Sequence, residues 1–155
     1  MVDVITDITI NVSIEKVAAY AADPDNAPEW YQNIKSVQWK TDKPLRTGSQ
    51  IAFVAHFIGK KLEYVYEVVT FRPNEILVMQ TAQGPFPMQT TYIWKRVDGA
   101  TTQMRLQNTG TPSGFSKIFT PLMSLMMKKA NKKDLKKIKS ILENNDRRFQ
   151  YQQAR

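Results

Sequence analysis

The stretch from residue 37 to residue 109 constrains the fold most, because it reads as one β-strand after another. Apolar and polar residues alternate along it, which is the period of a strand with one buried face. The strands are separated by residues typical of tight turns, namely Gly48, Gly59-Lys60, Pro73-Asn74, Gly84-Pro85 and Asp98-Gly99. Short connections favour antiparallel neighbours. We therefore expect an antiparallel meander.

The turn at Gly59-Lys60 allows a test, since residues opposite each other in a sheet share a face. A two-residue loop there places Phe53 opposite Tyr66 on a face that is apolar and aromatic throughout. The other face is mixed and includes His56, the only histidine, opposite Glu63. We interpret that histidine as part of an exposed cross-strand pair.

The turn at Asp98-Gly99 is tested in the same way. A two-residue loop mixes the two faces, whereas a three-residue loop over 98–100 places Trp94 opposite Met104. The second choice continues the apolar inner face and predicts that Gly99 takes a positive φ.

The flanking segments are a strand, two short helices and a long helix. Residues 2–11 alternate as a strand, and Ser13 and Asp23-Pro24 are helix-start signals that predict short helices ending near residues 22 and 30. After a break at 111–114, the pattern is helical to about Asn144. We therefore expect one domain over 1–145 and a polar tail, 146–155, that frays.

This order of elements resembles the helix-grip fold of the START-like (SRPBCC) superfamily, which includes polyketide cyclases, aromatases and lipid-transfer domains. The resemblance spans nearly the whole chain, and its motifs are punctuation of the fold: segment 23–30, Tyr66-Glu67-Val68 before Arg72-Pro73-Asn74, segment 84–87, and Pro112-Ser113-Gly114 followed by 134–139. It implies an α+β fold in which a curved antiparallel sheet of about six to seven strands wraps around the long C-terminal helix, with two short helices after the first strand.

The resemblance also implies a cavity between the sheet and the long helix that holds an apolar or amphipathic ligand. The inner face and the helix supply aromatic rings, a few hydroxyls and flexible methionines, which suit such a ligand. The alternative is that these side chains simply fill a core. The predicted ligand-binding residues are Phe53, Phe57, Tyr64, Tyr66, Met79, Met88, Tyr92, Trp94, Met104, Leu106, Met123 and Met127.

Catalytic groups are scarce in this arrangement. The predicted inner face carries no Asp, Glu, His, Lys or Cys, so we assign no catalytic residue; the weak candidates are the hydroxyls of Tyr64, Tyr66 and Tyr92, which could polarise a carbonyl. There is no cysteine and no cluster of three metal-ligand residues, and no glycine-rich phosphate loop. We expect neither a metal nor a cofactor.

The net charge of +8 is concentrated in the last quarter of the chain. Residues 1–116 hold 11 basic and 11 acidic residues, whereas residues 117–155 hold 11 and 3. On a helical wheel the lysines share the solvent side with apolar residues, a combination that suits an anionic membrane surface. The predicted surface consists of Ile118, Leu122, Leu125, Lys129, Lys132 and Lys136.

Other interpretations of this surface stay open. The lysines are also typical of a solvated face, and the apolar residues could be covered by a second copy in a homodimer. Nucleic acid is the least favoured partner, because aromatic residues do not interleave the lysines and no nucleic-acid motif accompanies them.

The sequence therefore favours a protein that binds, or binds and transports, a small hydrophobic or amphipathic molecule. One alternative is an enzyme similar to polyketide cyclases and dehydratases that uses the cavity tyrosines. A second is a ligand-free interaction module that acts through the basic helix. The N-terminus lacks a signal peptide's basic start and apolar run, and no stretch is long enough to span a membrane, so we expect a cytoplasmic protein.

Overall fold

The computed structural model describes residues 1–57, 59–111 and 120–154. The strands are β1 (Val2–Ile10), β2 (Ile34–Trp39), β3 (Gln50–Phe57), β4 (Lys60–Arg72), β5 (Ile76–Gln83), β6 (Met88–Asp98) and β7 (Thr101–Gly110). The helices are α1 (Ile14–Ala22), α2 (Ala27–Trp30) and α3 (Thr120–Gln153), and a 3₁₀ turn, Pro24–Asn26, precedes α2.

All seven strands form one antiparallel sheet in the order β1-β7-β6-β5-β4-β3-β2. Strands β2 to β7 follow one another as a meander, and β1 pairs along the full length of β7, from Val2 opposite Gly110 to Ile10 opposite Thr102. The sheet curls around α3, which packs closely against β1. The expected helix-grip architecture, with its two short helices after the first strand, is confirmed.

The β6–β7 hairpin has the expected register, with Trp94 opposite Met104 and Tyr92 opposite Leu106. A bulge between Arg96 and Asp98 absorbs the extra loop residue. The expected positive φ at Gly99 is wrong, because the left-handed glycines of the described residues are Gly48 and Gly59.

The β3–β4 hairpin differs from the expected register by two residues. Phe57 pairs with Lys60, so the strands turn one residue early, and Gly59 takes the left-handed φ of 71° at that turn. Phe53 therefore lies opposite Tyr64 instead of Tyr66, and His56 lies opposite Lys61 instead of Glu63. A shift of two residues leaves every side chain on its face, and His56 is exposed as expected.

The short helices begin where their start signals predict. Asp23 caps the 3₁₀ turn through its carboxylate, which accepts a hydrogen bond from the backbone N–H of Asp25 at 3.0 Å. Ser13 precedes α1 but makes no capping bond with its side chain; its carbonyl accepts from the N–H of Val17 at 3.0 Å. These helices pack Val17, Ala21 and Trp30 into the core.

The long helix α3 has 34 residues and continues to Gln153. The predicted polar tail is therefore helical as far as Gln153 in the structure. Lys16 of α1 holds this end, because its ammonium lies 2.7 Å from the carboxylate of Asp146 and 4.8 Å from the ring centre of Phe149. Among the described residues, no helix is both long and apolar enough to cross a membrane.

One half of the inner face is packed solid against the later turns of α3. We call this region the filled core. Its side chains are at most 6% exposed: Val68, Leu77, Trp94, Met104, Leu106, Leu135, Ile138 and Leu142.

Candidate functional site

The other half of the inner face leaves a cavity of about 150 Å³ between the sheet and the beginning of α3. The inner face is therefore not filled throughout. Nine of the twelve predicted ligand-binding residues lie around this cavity: Phe53, Phe57, Tyr64, Tyr66, Met79, Met88, Tyr92, Met123 and Met127.

The remaining three predicted residues, Trp94, Met104 and Leu106, do not line the cavity. They lie on the expected face of β6 and β7 but belong to the filled core, where they are 0 to 2% exposed. Their inclusion in the cavity wall was wrong because the aliphatic side chains Leu135 and Ile138 of α3 occupy that half of the interior.

Aromatic rings form the wall on β3 and β4. Phe53 stacks on Tyr64 with ring centres 5.5 Å apart, and Tyr66 meets Tyr64 edge to face at 4.9 Å. These contacts fix the orientation of the rings, so the wall is preformed.

Two sets of hydrogen-bonded side chains join different parts of the cavity wall. The hydroxyls of Tyr31 and Tyr92 lie 2.5 Å apart, which joins the segment after α2 to β6. The Thr90 hydroxyl donates to the side-chain oxygen of Asn108 at 2.7 Å. The Tyr66 hydroxyl lies 2.9 Å from the Thr90 hydroxyl and donates to it, because the single Thr90 proton is already used. These hydroxyls are already paired within the protein.

Helix α3 adds two polar residues that the sequence analysis missed. Asn131 and Asp134 line the cavity and are 4% and 3% exposed. One Asp134 oxygen accepts a hydrogen bond from the backbone N–H of Gln32 at 3.0 Å, which ties α3 to the segment before β2. The signal was available, since both residues fall on the apolar side of the helical wheel between Met127 and Leu135.

Burial changes the protonation of this site. It raises the pKa of Asp134 to about 6, although the Gln32 N–H opposes the rise. Burial also raises the pKa of Tyr66 to about 12, and the pKa values of Tyr31, Tyr64 and Tyr92 lie above their ordinary value for the same reason. At neutral pH the tyrosines are therefore neutral hydrogen-bond donors, whereas Asp134 titrates near pH 6.

Two donors at the cavity lack a partner within the described chain. The side-chain N–H₂ of Asn131 is fully buried without a hydrogen bond. The ring of Tyr64 contacts the rings of Phe53 and Tyr66, and its hydroxyl makes no hydrogen bond to a described residue. An unpaired buried donor is costly, so the Asn131 N–H₂ is available to an acceptor inside the cavity, and the Tyr64 hydroxyl lines the same cavity.

Among the described residues, no three His, Asp or Glu side chains come together as a metal site. A second, more open groove of about 450 Å³ lies on the far side of Ala22, Asp23 and Pro24, which line both spaces. It is bordered by Trp39, whose indole N–H donates to the Asp25 carboxylate at 2.9 Å. Lys43 pairs with the same carboxylate, so the charged groups of this groove that surround Trp39 are already paired with each other.

The predicted outer surface of α3 is partly described. Ile118 and the 112–114 motif lie outside the described residues. Leu122, Leu125, Lys129, Lys132 and Lys136 are all exposed.

The sequence profile of the family described as polyketide cyclase / dehydrase and lipid transport matches residues 1–143. The chain belongs to this family. No functionally curated protein matches it.

Solved structures of the same fold come from distant relatives. A protein from Thermus thermophilus is 18% identical, with a TM-score of 0.77 over 92% of this chain and 98% of that one. A START superfamily protein from Mycobacterium smegmatis is 14% identical, with a TM-score of 0.76 over 92% and 97%. The Zhui aromatase/cyclase from Streptomyces sp. R1128 is 11% identical, with a TM-score of 0.77 over 91% and 93%. At these identities the likeness shows the fold.

Proposed function

We propose that this protein binds one small, mostly apolar ring compound whose carbonyl or similar acceptor group points to Asn131 and Tyr64. The observation that carries the proposal is the buried, unpartnered N–H₂ of Asn131 in a mostly apolar cavity, which the Tyr64 hydroxyl, without a hydrogen bond to a described residue, also lines. A ligand acceptor there restores the hydrogen bonds that these donors lack.

The size of the cavity narrows the class of ligand. An apolar cavity of about 150 Å³ accommodates a single benzene-sized ring. Met79, Met88, Met123 and Met127 line the space and are flexible enough to admit a substituent on that ring. A monocyclic aromatic ketone or ester fits these dimensions.

Acetophenone and ethylbenzene provide a matched pair of probes, because they differ in whether the ring substituent carries a carbonyl. We expect titration calorimetry or ligand-observed NMR to show binding of both, with acetophenone about five- to tenfold tighter, corresponding to one good hydrogen bond. Binding of neither probe, or equal binding of both, would contradict the proposal.

The double variant Asn131→Leu with Tyr64→Phe removes both free donors while keeping the cavity apolar. We expect it to lose the preference for acetophenone and to retain ethylbenzene, which also shows that the cavity is intact. The matched control is Asn144→Leu, since Asn144 is exposed on the same helix. The control should keep the preference.

Asp134 favours a second candidate, an enzyme of the cyclase or dehydratase type. Tyr64, the tyrosine candidate whose hydroxyl makes no hydrogen bond to a described residue, supplies a neutral donor that polarises a carbonyl. Asp134, with its pKa raised to about 6, supplies the base that the sequence analysis did not find. In the ionised form its carboxylate can take a proton from the carbon next to a bound carbonyl, and the electron pair moves to the carbonyl oxygen.

Hydrogen exchange tests this second candidate directly. The wild-type protein should speed the exchange of the acetophenone methyl hydrogens in D₂O, with a rate that rises through about pH 6 as Asp134 ionises. Asp134→Asn should abolish the acceleration while acetophenone still binds. Equal acceleration by wild type and Asp134→Asn would rule out this role for Asp134.

A further inference from the structure

The beginning of α3 presents an apolar patch that nothing in the described chain covers. Leu122, Leu125 and Met126 are 53, 66 and 39% exposed. Leu122 and Leu125 lie on the side of the helix away from the cavity residues Met123 and Met127, and Met126 lies between the two sides. This part of the helix is therefore apolar on both sides, although only one side has protein to pack against.

A row of lysines continues the same side of the helix. Lys129, Lys132, Lys133 and Lys136 are exposed and share an arc of about 120° with the apolar patch. We call these four residues the lysine row. Patch and row together extend about 21 Å along the helix axis, from Leu122 to Lys136.

The lysine row has no acidic counterpart. None of its members forms an ion pair with a described residue, whereas Lys139, one turn further on, pairs with Glu143 at 2.8 Å. Asp134 is the only acidic residue between positions 120 and 142, and its carboxylate is buried towards the cavity. The surface is thus uniformly positive and lies next to exposed leucines.

We propose that the apolar patch and the lysine row dock on an anionic phospholipid bilayer. Leucine side chains enter the boundary between headgroups and acyl chains, while lysines stay at headgroup level and attract anionic lipids. Because the two groups succeed each other along the axis, the helix docks tilted, with its first turns deeper. This proposal stands independently of what the cavity binds.

The charge complementarity selects the bilayer over the other partners of a basic surface. A nucleic acid would contact the lysines but leave Leu122 and Leu125 in water. A second copy would cover the leucines but offers no acidic row to pair with the lysines, since Asp134 is the only acidic residue between positions 120 and 142. A bilayer with anionic headgroups satisfies both halves of the surface.

Vesicle flotation with purified protein tests the proposal. We expect binding to phosphatidylcholine vesicles with about 30 mol% phosphatidylserine and little binding to pure phosphatidylcholine, weakening as salt rises from about 0.05 to 0.5 M. The variant Lys129→Glu, Lys132→Glu, Lys136→Glu should bind at least about tenfold more weakly. A matched control, Lys35→Glu, Lys40→Glu, Lys95→Glu, makes the same change of net charge on the sheet and its loops and should bind within about twofold of wild type.

The apolar half needs its own variants. Leu122→Gln with Leu125→Gln should reduce vesicle binding about tenfold, and the indole emission of Leu125→Trp should shift to shorter wavelength on anionic vesicles. Full vesicle binding by the Gln variant would overturn the proposal, because the apolar patch would then take no part in docking. A wild-type dimer in sedimentation that the Gln variant loses would overturn it in favour of a second copy.

Loss of selectivity would also overturn the proposal. If the control triple variant loses as much binding as the lysine-row variant, the attraction is a property of net charge and not of this surface. Absence of binding to anionic vesicles at low salt has the same consequence.

Discussion

The two halves of the sheet's inner face carry similar residues, but one half is filled and the other encloses a cavity. One half is the filled core, where Trp94, Met104 and Leu106 are almost completely buried. The other half surrounds a cavity, although Phe53, Tyr64 and Met88 are just as large. Side-chain size on the sheet therefore does not decide where this fold is hollow.

The difference lies in what α3 presents to each half. Against the filled core it places Leu135, Ile138 and Leu142, which are branched and apolar. Against the cavity it places the small Ala130 and the polar Asn131 and Asp134. Burying polar groups against carbon without partners is costly, so these residues favour a space that admits a ligand or water.

The largest expected effect compares one truncation in each half. Leu106→Ala removes a fully buried side chain from the filled core and should lower the free energy of unfolding by about 3–5 kcal/mol, since a new void is created. Met127→Ala enlarges a space that already exists and should cost about 1 kcal/mol or less. Urea unfolding of the two variants beside wild type measures both values. Equal costs would mean that the cavity half is packed like the core.

The second prediction concerns Asp134, whose carboxylate lines the cavity from α3. Its pKa of about 6 in the folded chain lies above its ordinary value of 3.8, so the folded state holds the proton more tightly. The free energy of unfolding therefore falls as pH rises from about 4 to about 6, and stays lower above that range. The shift corresponds to at most about 3 kcal/mol.

Asp134→Asn isolates this contribution, because the amide oxygen still accepts from the Gln32 N–H. We expect the variant to match wild type near pH 4 and to be more stable by up to about 3 kcal/mol at pH 7. Thermal or urea unfolding at both pH values gives the comparison. A difference between the two proteins that does not change with pH would show that the folded chain does not shift this pKa.

The architecture could be predicted from the sequence because period and punctuation are local signals. The alternation of β6 and β7 was sufficient to place Trp94 opposite Met104. At the β3–β4 hairpin the sequence predicts the turn one residue too late. The assignment of side chains to the two faces is still correct, because a register shift of two residues leaves each side chain on its face. Face assignments are therefore more robust than register.

The site was less predictable, because a cavity depends on depth along the helix as well as on face. Trp94 and Tyr92 lie on the same face of β6, yet Tyr92 reaches the cavity and Trp94 does not. The pairing of Asp134 with the Gln32 backbone joins residues that are 102 positions apart, which no local pattern reveals. The helical wheel did contain a usable clue, namely a carboxylate on an otherwise apolar face.

The smallest expected effect separates two tyrosines within the cavity half. The Tyr66 hydroxyl donates to Thr90, which in turn donates to Asn108, whereas the Tyr64 hydroxyl has no described partner. Tyr66→Phe should therefore cost about 1 kcal/mol, and Tyr64→Phe should leave the free energy of unfolding within about 0.5 kcal/mol of wild type.

Ligand binding should reverse this order. Tyr64→Phe removes a donor that is free for a ligand and should weaken acetophenone binding several-fold, while Tyr66→Phe, whose hydroxyl is already engaged, should bind it much as wild type does. Urea unfolding and calorimetric titration on the same two variants give both orders. One variant could instead lose both stability and acetophenone affinity while the other loses neither. That result would show that the Tyr66 and Tyr64 hydroxyls do not divide into a structural one and a ligand-binding one.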